Sequence, residues 1–471
     1  MSTDTNASTR STRSTRSPGS ARAAPVLPHR LTLELAAHSL AIAHGDTLPA
    51  SVSRIARHSL LDWFAVACAA WQEPPVQILL ADIRDEGATP RATLLDGSRA
   101  SAVQAALVNG TASHVLDFDD AHLQSRVHPS VPLWPAILAQ AEAGRHGGAA
   151  ALAAFAAGVE LQSRVASLMG EDHYRLGWHN TATLGTLGAT TAVAALLGLD
   201  TERTAHALGI ACTQAGGLRA LFGTMGKPLH AGHAAAIGLR AARLAARGFT
   251  AVTDILEREQ GFAALYAGQW DADRVWQDAA TPRVHGIVYK YHASCYGTQA
   301  PIDACLQLRQ AHAFQPGDIE MVDVAIEPQY LDVCCIANPC TPSEAKFSIA
   351  HMAALALSGR STVAAGSFAD ARDDPAISAL RARIRVQGDA AMPRANARAT
   401  VTLTDGCTHV SHCDASRPET DLDRQEARIA SKARALLAPV LGEARAEALI
   451  ATALACEGLD DVAACFAPLR R

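Results

Sequence analysis

From Leu31, Leu35, His38 and Ile42 follow three- and four-residue spacing, the period of a helix with one buried face. Pro49 then opens a second helix carrying Val52, Ile55, Leu60, Leu61 and Phe64. Ala-rich segments at 133–170, 182–198, 203–215 and 232–247 repeat the pattern, each bounded by Gly, Pro, Asp or Thr. The run through Ala192–Leu197 is apolar nearly all round and belongs inside a bundle. After about residue 276 the period changes to two. Residues 320–328, 382–387 and 398–404 alternate and predict three strands of an antiparallel sheet with one wet face. A helix is predicted over 345–357, and helix returns from Asp423 to the end.

The expected class is mainly α, a large all-helical domain with a smaller α+β lid. The expected division is a disordered Ser/Thr/Arg-rich tail over 1–29, helical domain 30–276, lid 277–420, and a C-terminal helical segment 421–471 packing back on the helical domain. The tail repeats Ser-Thr-Arg and has no apolar period with which to offset ordering entropy. Its Arg and Ser enrichment is that of a transit peptide, without the apolar face such peptides carry.

Composition narrows this further. Apolar residues make up 49% of the chain and charged ones 18%, which suits large buried cores. Abundant Ala costs no side-chain entropy in a helix, so the bias favours closely packed helices. A net charge of −5 argues against a nucleic-acid partner. No apolar run reaches bilayer length, so a soluble chain away from membranes is expected. Eleven scattered cysteines without a C-x-x-C pair read as reduced thiols in a cytoplasmic protein.

Four polar motifs interrupt this apolar text. His114-Val-Leu-Asp117-Phe-Asp119-Asp120-Ala-His122, with His128-Pro129 behind it, holds more titratable groups than helix capping requires. His179-Asn180-Thr181 opens an Ala-rich helix whose free N–H groups attract an anion. Lys227 stands between Gly226 and Gly232, with His230 close by, in what reads as a tight loop presenting an ammonium group. The Walker spacing and its Ser/Thr are missing, which excludes a phosphate loop. Tyr289 to Gln299 concentrates hydrogen-bonding side chains where the helical domain meets the lid.

With Asn109-Gly110, Gly177-Trp178-His179, Asn338-Pro339 and Glu344-Ala-Lys346-Phe347-Ser348, these motifs resemble the MmgE/PrpD family over about residues 31–465. That family includes 2-methylcitrate dehydratases, cis-aconitate decarboxylases and iminodisuccinate epimerases. The resemblance implies an active site between helical domain and lid, a homodimer, and catalysis without metal or organic cofactor on a small carboxylate substrate. By position it makes Asp117, His128, His179 and Lys227 catalytic. Asp120, Thr181 and His230 are expected to bind substrate. The chain departs from the family at Gln299, where a lid His is common, and at Cys335, the position nearest the lid Tyr of the decarboxylase branch. His292 is then the candidate replacement acid or base, with Tyr296 and Gln299 as binding residues.

The expected chemistry is proton abstraction beside a carboxylate, ending in dehydration, epimerisation or isomerisation. Lys227 and the N–H groups near His179 would take up the developing charge. Two rivals remain: a carboxylate-binding protein without turnover, and a metal-dependent all-helical lyase, against which the Asp117-Phe-Asp119-Asp120 spacing counts because it lacks Asp-Asp-x-x-Asp.

Overall fold

The computed structural model describes residues 30–45, 47–363 and 374–470; the tail expected over 1–29 lies outside them. The helical body opens with α1 (Leu31–His44), α2 (Ala50–Ala69) and α3 (Pro74–Glu86). The ribbon β1 (Ala92–Thr93) and β2 (Arg99–Ala100) precedes α4 (Ala102–Val115), which Ser101 and Gln104 start as a reciprocal cap. The loop after α4 contains β3 (Ala121–His122). Then come α5 (Ser130–Gly144), α6 (Gly148–Arg175), α7 (Asn180–Leu196), α8 (Thr201–Cys212) and α9 (Gly226–Ala246). A short α10 (Phe262–Tyr266) leads to β4 (Ile287–Val288), which pairs with β3 and ties the later chain to the loop after α4.

Every residue of α7 is buried, and α5, α6 and α9 pack around it. Small residues permit this closeness. A Cβ on Gly232 of α9 would stand 2.2 Å from the Leu107 carbonyl oxygen of α4, and one on Gly110 would stand 2.8 Å from Gly232 Cα. The two glycines mark the α4–α9 crossing. Trp134 of α5 stacks on Phe155 of α6 at 4.6 Å, both fully buried; truncating either to Ala would cost about 3–5 kcal/mol.

The second part carries α11 (Tyr296–Ala311), β5 (Ile319–Ile326), α12 (Gln329–Cys334), α13 (Pro342–Ala345), α14 (Ile349–Leu357) and α15 (Pro375–Arg381). The strands β6 (Ile384–Gly388), β7 (Asn396–Leu403) and β8 (Thr408–Asp414) follow. The sheet order is β6-β5-β7-β8. This corrects the expected three-stranded antiparallel sheet: β5 and β6 are parallel, because the connection between them crosses over through helices. Lastly α16 (Leu422–Leu441) and α17 (Glu443–Leu454) return to the body, with α16 lying along α2. The architecture is mainly α with a smaller α+β part. No helix among the described residues is long and apolar enough to cross a membrane.

Candidate active site

The ends of α4, α5, α7 and α9 converge with the segment before α11. Asp117, just past the end of α4, has φ 52°. A non-glycine residue enters that left-handed region at a cost of roughly 1–2 kcal/mol, least for Asp and Asn. Its carboxylate receives Lys227 Nζ at 2.7 Å and Lys290 Nζ at 3.3 Å. Burial alone would raise the Asp117 pKa; the two ammonium groups outweigh it and hold the carboxyl well below the usual range. Lys227 sits in the first turn of α9, which corrects the loop expected there: Gly226 starts a helix, and Gly232 lies inside it at the α4 crossing.

Asp119 lies between two imidazoles. His128 Nδ1 is 2.8 Å and His114 Nδ1 3.0 Å from Asp119 Oδ2. Burial works against Asp119 ionising, but His114 and His128 outweigh it and lower its pKa well below the usual range. Burial pushes His114 down to about 4, so near neutral pH it is an imidazole donating Nδ1–H to the carboxylate. His114 Nε2 is buried with no partner. The His114 ring lies 4.9 Å from His128 and stacks on His179 at 5.8 Å. His179 immediately precedes α7, and its Nδ1 is 3.1 Å from His230 Nδ1 on α9. Burial, reinforced by His114 and Lys227, holds His179 well below its ordinary pKa, so it is an unprotonated base. The arrangement is a row of four imidazoles beside a lysine-clamped carboxylate. Side-chain exposures of 30% for Asp117, 21% for His128 and 18% for Lys227 leave it open to a small solute.

Two expected binding residues stand behind the site. Asp120 is fully buried and accepts from Ser130 N–H at 3.1 Å and Ser130 Oγ–H at 2.6 Å, holding the start of α5. Burial, with Asp62 and Asp119 nearby, raises it to about 8. Thr181 Oγ1 accepts the His128 N–H at 3.1 Å and so orients the histidine.

The lid candidates are engaged elsewhere. His292 Nδ1 meets Thr362 Oγ1 at 2.7 Å and its Nε2 meets Asp303 at 3.2 Å, so both ring nitrogens are used. Gln299 accepts from the Tyr291 and His292 N–H groups and donates to the His292 and Ser294 carbonyls, which makes it a backbone staple. Tyr296 donates to the Ala415 carbonyl. His292 and Gln299 line a cavity of about 790 Å³ with Asp303 and Arg428; Asp117, His128, His179 and Lys227 do not. The structure thus brings together Asp117, His128, His179, His230 and Lys227, and leaves His292, Tyr296 and Gln299 apart.

Lys290, His114 and Asp119 were in motifs read from the sequence but given no role. A lysine directly after the apolar run Ile287-Val288-Tyr289 was the available signal for Lys290. His114, Asp119 and His128 also bring two ring nitrogens and a carboxylate oxygen within 4.8 Å of one another, a donor set able to hold a transition metal. The same atoms already satisfy one another as hydrogen bonds.

Comparison with known proteins places this site in a family. The chain belongs to the MmgE/PrpD family: its N-terminal domain matches residues 35–275 and its C-terminal domain residues 292–457. The chain is similar to cis-aconitate decarboxylase of Homo sapiens, 39% identical over 168 residues, 35% of each chain. It is 28% identical over 376 residues to the Mus musculus cis-aconitate decarboxylase, 76% of each chain. The Aspergillus terreus cis-aconitate decarboxylase is 33% identical over 229 residues, 46% of each chain. The matched stretch thus spans about a third of the human protein's length and three quarters of the mouse protein's.

Proposed function

We propose that the protein is a lyase acting on a small di- or tricarboxylate, with Lys227 and Lys290 receiving a substrate carboxylate and the imidazole row moving the proton. The observation that carries this is the convergence of two lysines, from α9 and from the segment before α11, on Asp117 beside the unprotonated His179. The names of the similar proteins put decarboxylation ahead of dehydration and epimerisation. In decarboxylation of an unsaturated tricarboxylate, the bond to one carboxylate breaks and CO₂ leaves. The electron pair spreads into a conjugated carboxylate, whose charge an ammonium neutralises, and an acid then protonates carbon. Dehydration would use the same groups to take a proton from carbon and give one to the departing hydroxyl. Gln299 bonds backbone groups, so its difference from the family pattern does not count against decarboxylation.

Independence from metal is part of the proposal, as are the lid over 277–420 and a homodimer. Exposed Leu218, Leu221, Phe222 and Met225 beside Lys227 support a covered surface there, and light scattering on the purified protein tests it. Free thiols support the cytoplasmic location.

Incubation with cis-aconitate, citrate, methylcitrate and aminated dicarboxylates in deuterated water, with and without a chelator, tests the reading by NMR. Loss of CO₂ with deuterium at one carbon of the product is expected, unchanged by the chelator. Binding without any exchange would replace the enzyme with a carboxylate-binding protein. Abolition by the chelator would assign a metal to His114, Asp119 and His128.

A further inference from the structure

The strained turn at Asp117 persists only where its surroundings over-determine it. Two buried ammonium groups capture its successive carbonyls. Lys290 Nζ donates to the Asp117 carbonyl, and Lys432 Nζ donates to the Phe118 carbonyl at 2.7 Å. Lys432 Nζ also donates to the carbonyl of Lys290 itself at 2.8 Å. Its remaining proton goes to Asp62 Oδ1 at 2.6 Å, with both side chains only 1% exposed. An ammonium has three protons, and all three are used. The cation also lies 3.8 Å from the Phe118 ring centroid. One nitrogen on α16 thereby gathers α2, the loop after α4, and the segment before α11.

The plain alternative is a buried ion pair that only fastens α16 to α2. Such a pair needs a single Lys–Asp contact, yet two of the three protons go to backbone that forms the site. Asp62 Oδ2 is buried with no partner, so the pair is not built to satisfy the acid.

We propose that Lys432 is a positioning residue that fixes the Asp117–Phe118 turn against the Lys290 segment and so sets the spacing of the site's carboxylate and its buried lysine. Lys432 does not reach substrate. The catalytic part of this inference rests on the lyase reading above.

The test pairs Lys432→Met with Asp62→Leu, replacing both charges with apolar groups so that neither is left buried alone. Thermal unfolding, kcat, KM and amide hydrogen exchange are measured on the full chain. The double variant is expected to fold, with a Tm lowered only about 1–3 °C because the Phe118 and Lys290 carbonyls lose their donor. It is expected to keep KM within about threefold, while kcat falls about thirtyfold or more, the pattern of an interaction that matters in the transition state. Exchange at Phe118 and Asp119 is expected to quicken about tenfold or more, with the interiors of α2 and α16 unchanged. Lys432→Met alone should lose both activity and stability, since it strands Asp62. Wild-type kcat in a stable double variant would overturn the proposal, because a pure ion-pair role predicts that outcome. Unchanged exchange in the turn would overturn it as well. If the wild type turns over no carboxylate, the lyase reading fails, and the exchange measurement still decides the clamp.

Discussion

Lowering the pH from 7 to 5 titrates the buried cluster against its own stability. Burial depresses His114, His122, His173 and His351 to about 4 each, from an ordinary 6.5. The unfolded chain therefore binds protons below 6.5 that the native state refuses, so stability falls as pH drops toward 4. Each histidine costs about 2 kcal/mol over these two units, or about 7 kcal/mol for the four. Asp120 works in the opposite direction. Raised to about 8, it binds a proton in the native state that the unfolded chain releases, and it contributes about 3 kcal/mol of added stability over the same window. The net loss is about 4–5 kcal/mol, which for a chain of this length is a fall in Tm of about 4–5 °C. Asp120→Asn removes the offset while keeping an acceptor for Ser130, so its fall should grow to about 7 °C. Calorimetry on both proteins at pH 7 and 5 is the assay. A Tm independent of pH in the wild type would refute the depressed histidine pKa values as a group, and the neutral His114 donating to Asp119 would have to be abandoned with them.

Three further outcomes follow from the site. Lys227→Ala should fold normally, because Lys290 still faces Asp117, and lose about a hundredfold in turnover; near-normal rates would remove Lys227 from the reaction. His179→Gln should lower kcat more than it raises KM. Because the His179 pKa is depressed, the acid limb of the wild-type profile should fall below the ordinary imidazole range, and the variant should lack it; an acid limb that survives the substitution reassigns the base. Gln299→Ala leaves the N–H groups of Tyr291 and His292 without their acceptor, at a cost of about 1–3 kcal/mol, so its melting temperature should drop. A raised KM at unchanged stability would instead make Gln299 a binding residue.

The helical body was readable because its signal is local: three- and four-residue spacing and Ala-rich helices bounded by Gly and Pro. β8 escaped notice for a physical reason. It is an edge strand with no buried face, so Thr408–Asp414 shows no apolar alternation to detect. The parallel pairing of β5 and β6 is likewise set by the crossover and not by either strand's residues. In the site, Asp117, His128, His179 and Lys227 each stood in a polar motif on an apolar background. Lys432 and Asp62 left a subtler trace: Lys432 falls three residues after Ile429 and four before Leu436, on the apolar side of α16. Asp62 interrupts Leu60-Leu61-Asp62-Trp63-Phe64. A charge at an apolar position of a helix needs a partner. Which partner, 370 residues away, only the fold supplies. The surroundings of His292 and Gln299 were not legible, since a motif rich in hydrogen-bonding side chains does not reveal that Gln299 bonds the backbone beside it and that His292 meets Thr362 and Asp303.

The two lysines on Asp117 are not equivalent. Lys290 has a side chain 2% exposed and is bound to a backbone carbonyl as well as to the carboxylate. Lys227 is 18% exposed, and its described hydrogen bond goes to Asp117 alone. A carboxylate entering from solvent therefore competes with Asp117 for Lys227 more easily than for Lys290, because it has less burial and fewer bonds to undo. In the proposed lyase, Asp117 then holds Lys227 in place until that exchange occurs, while Lys290 stays fixed beside the developing charge. The strain at Asp117 fits this arrangement: Lys290 and Lys432 hold the carbonyls of Asp117 and Phe118 in the turn from which the carboxylate meets both lysines.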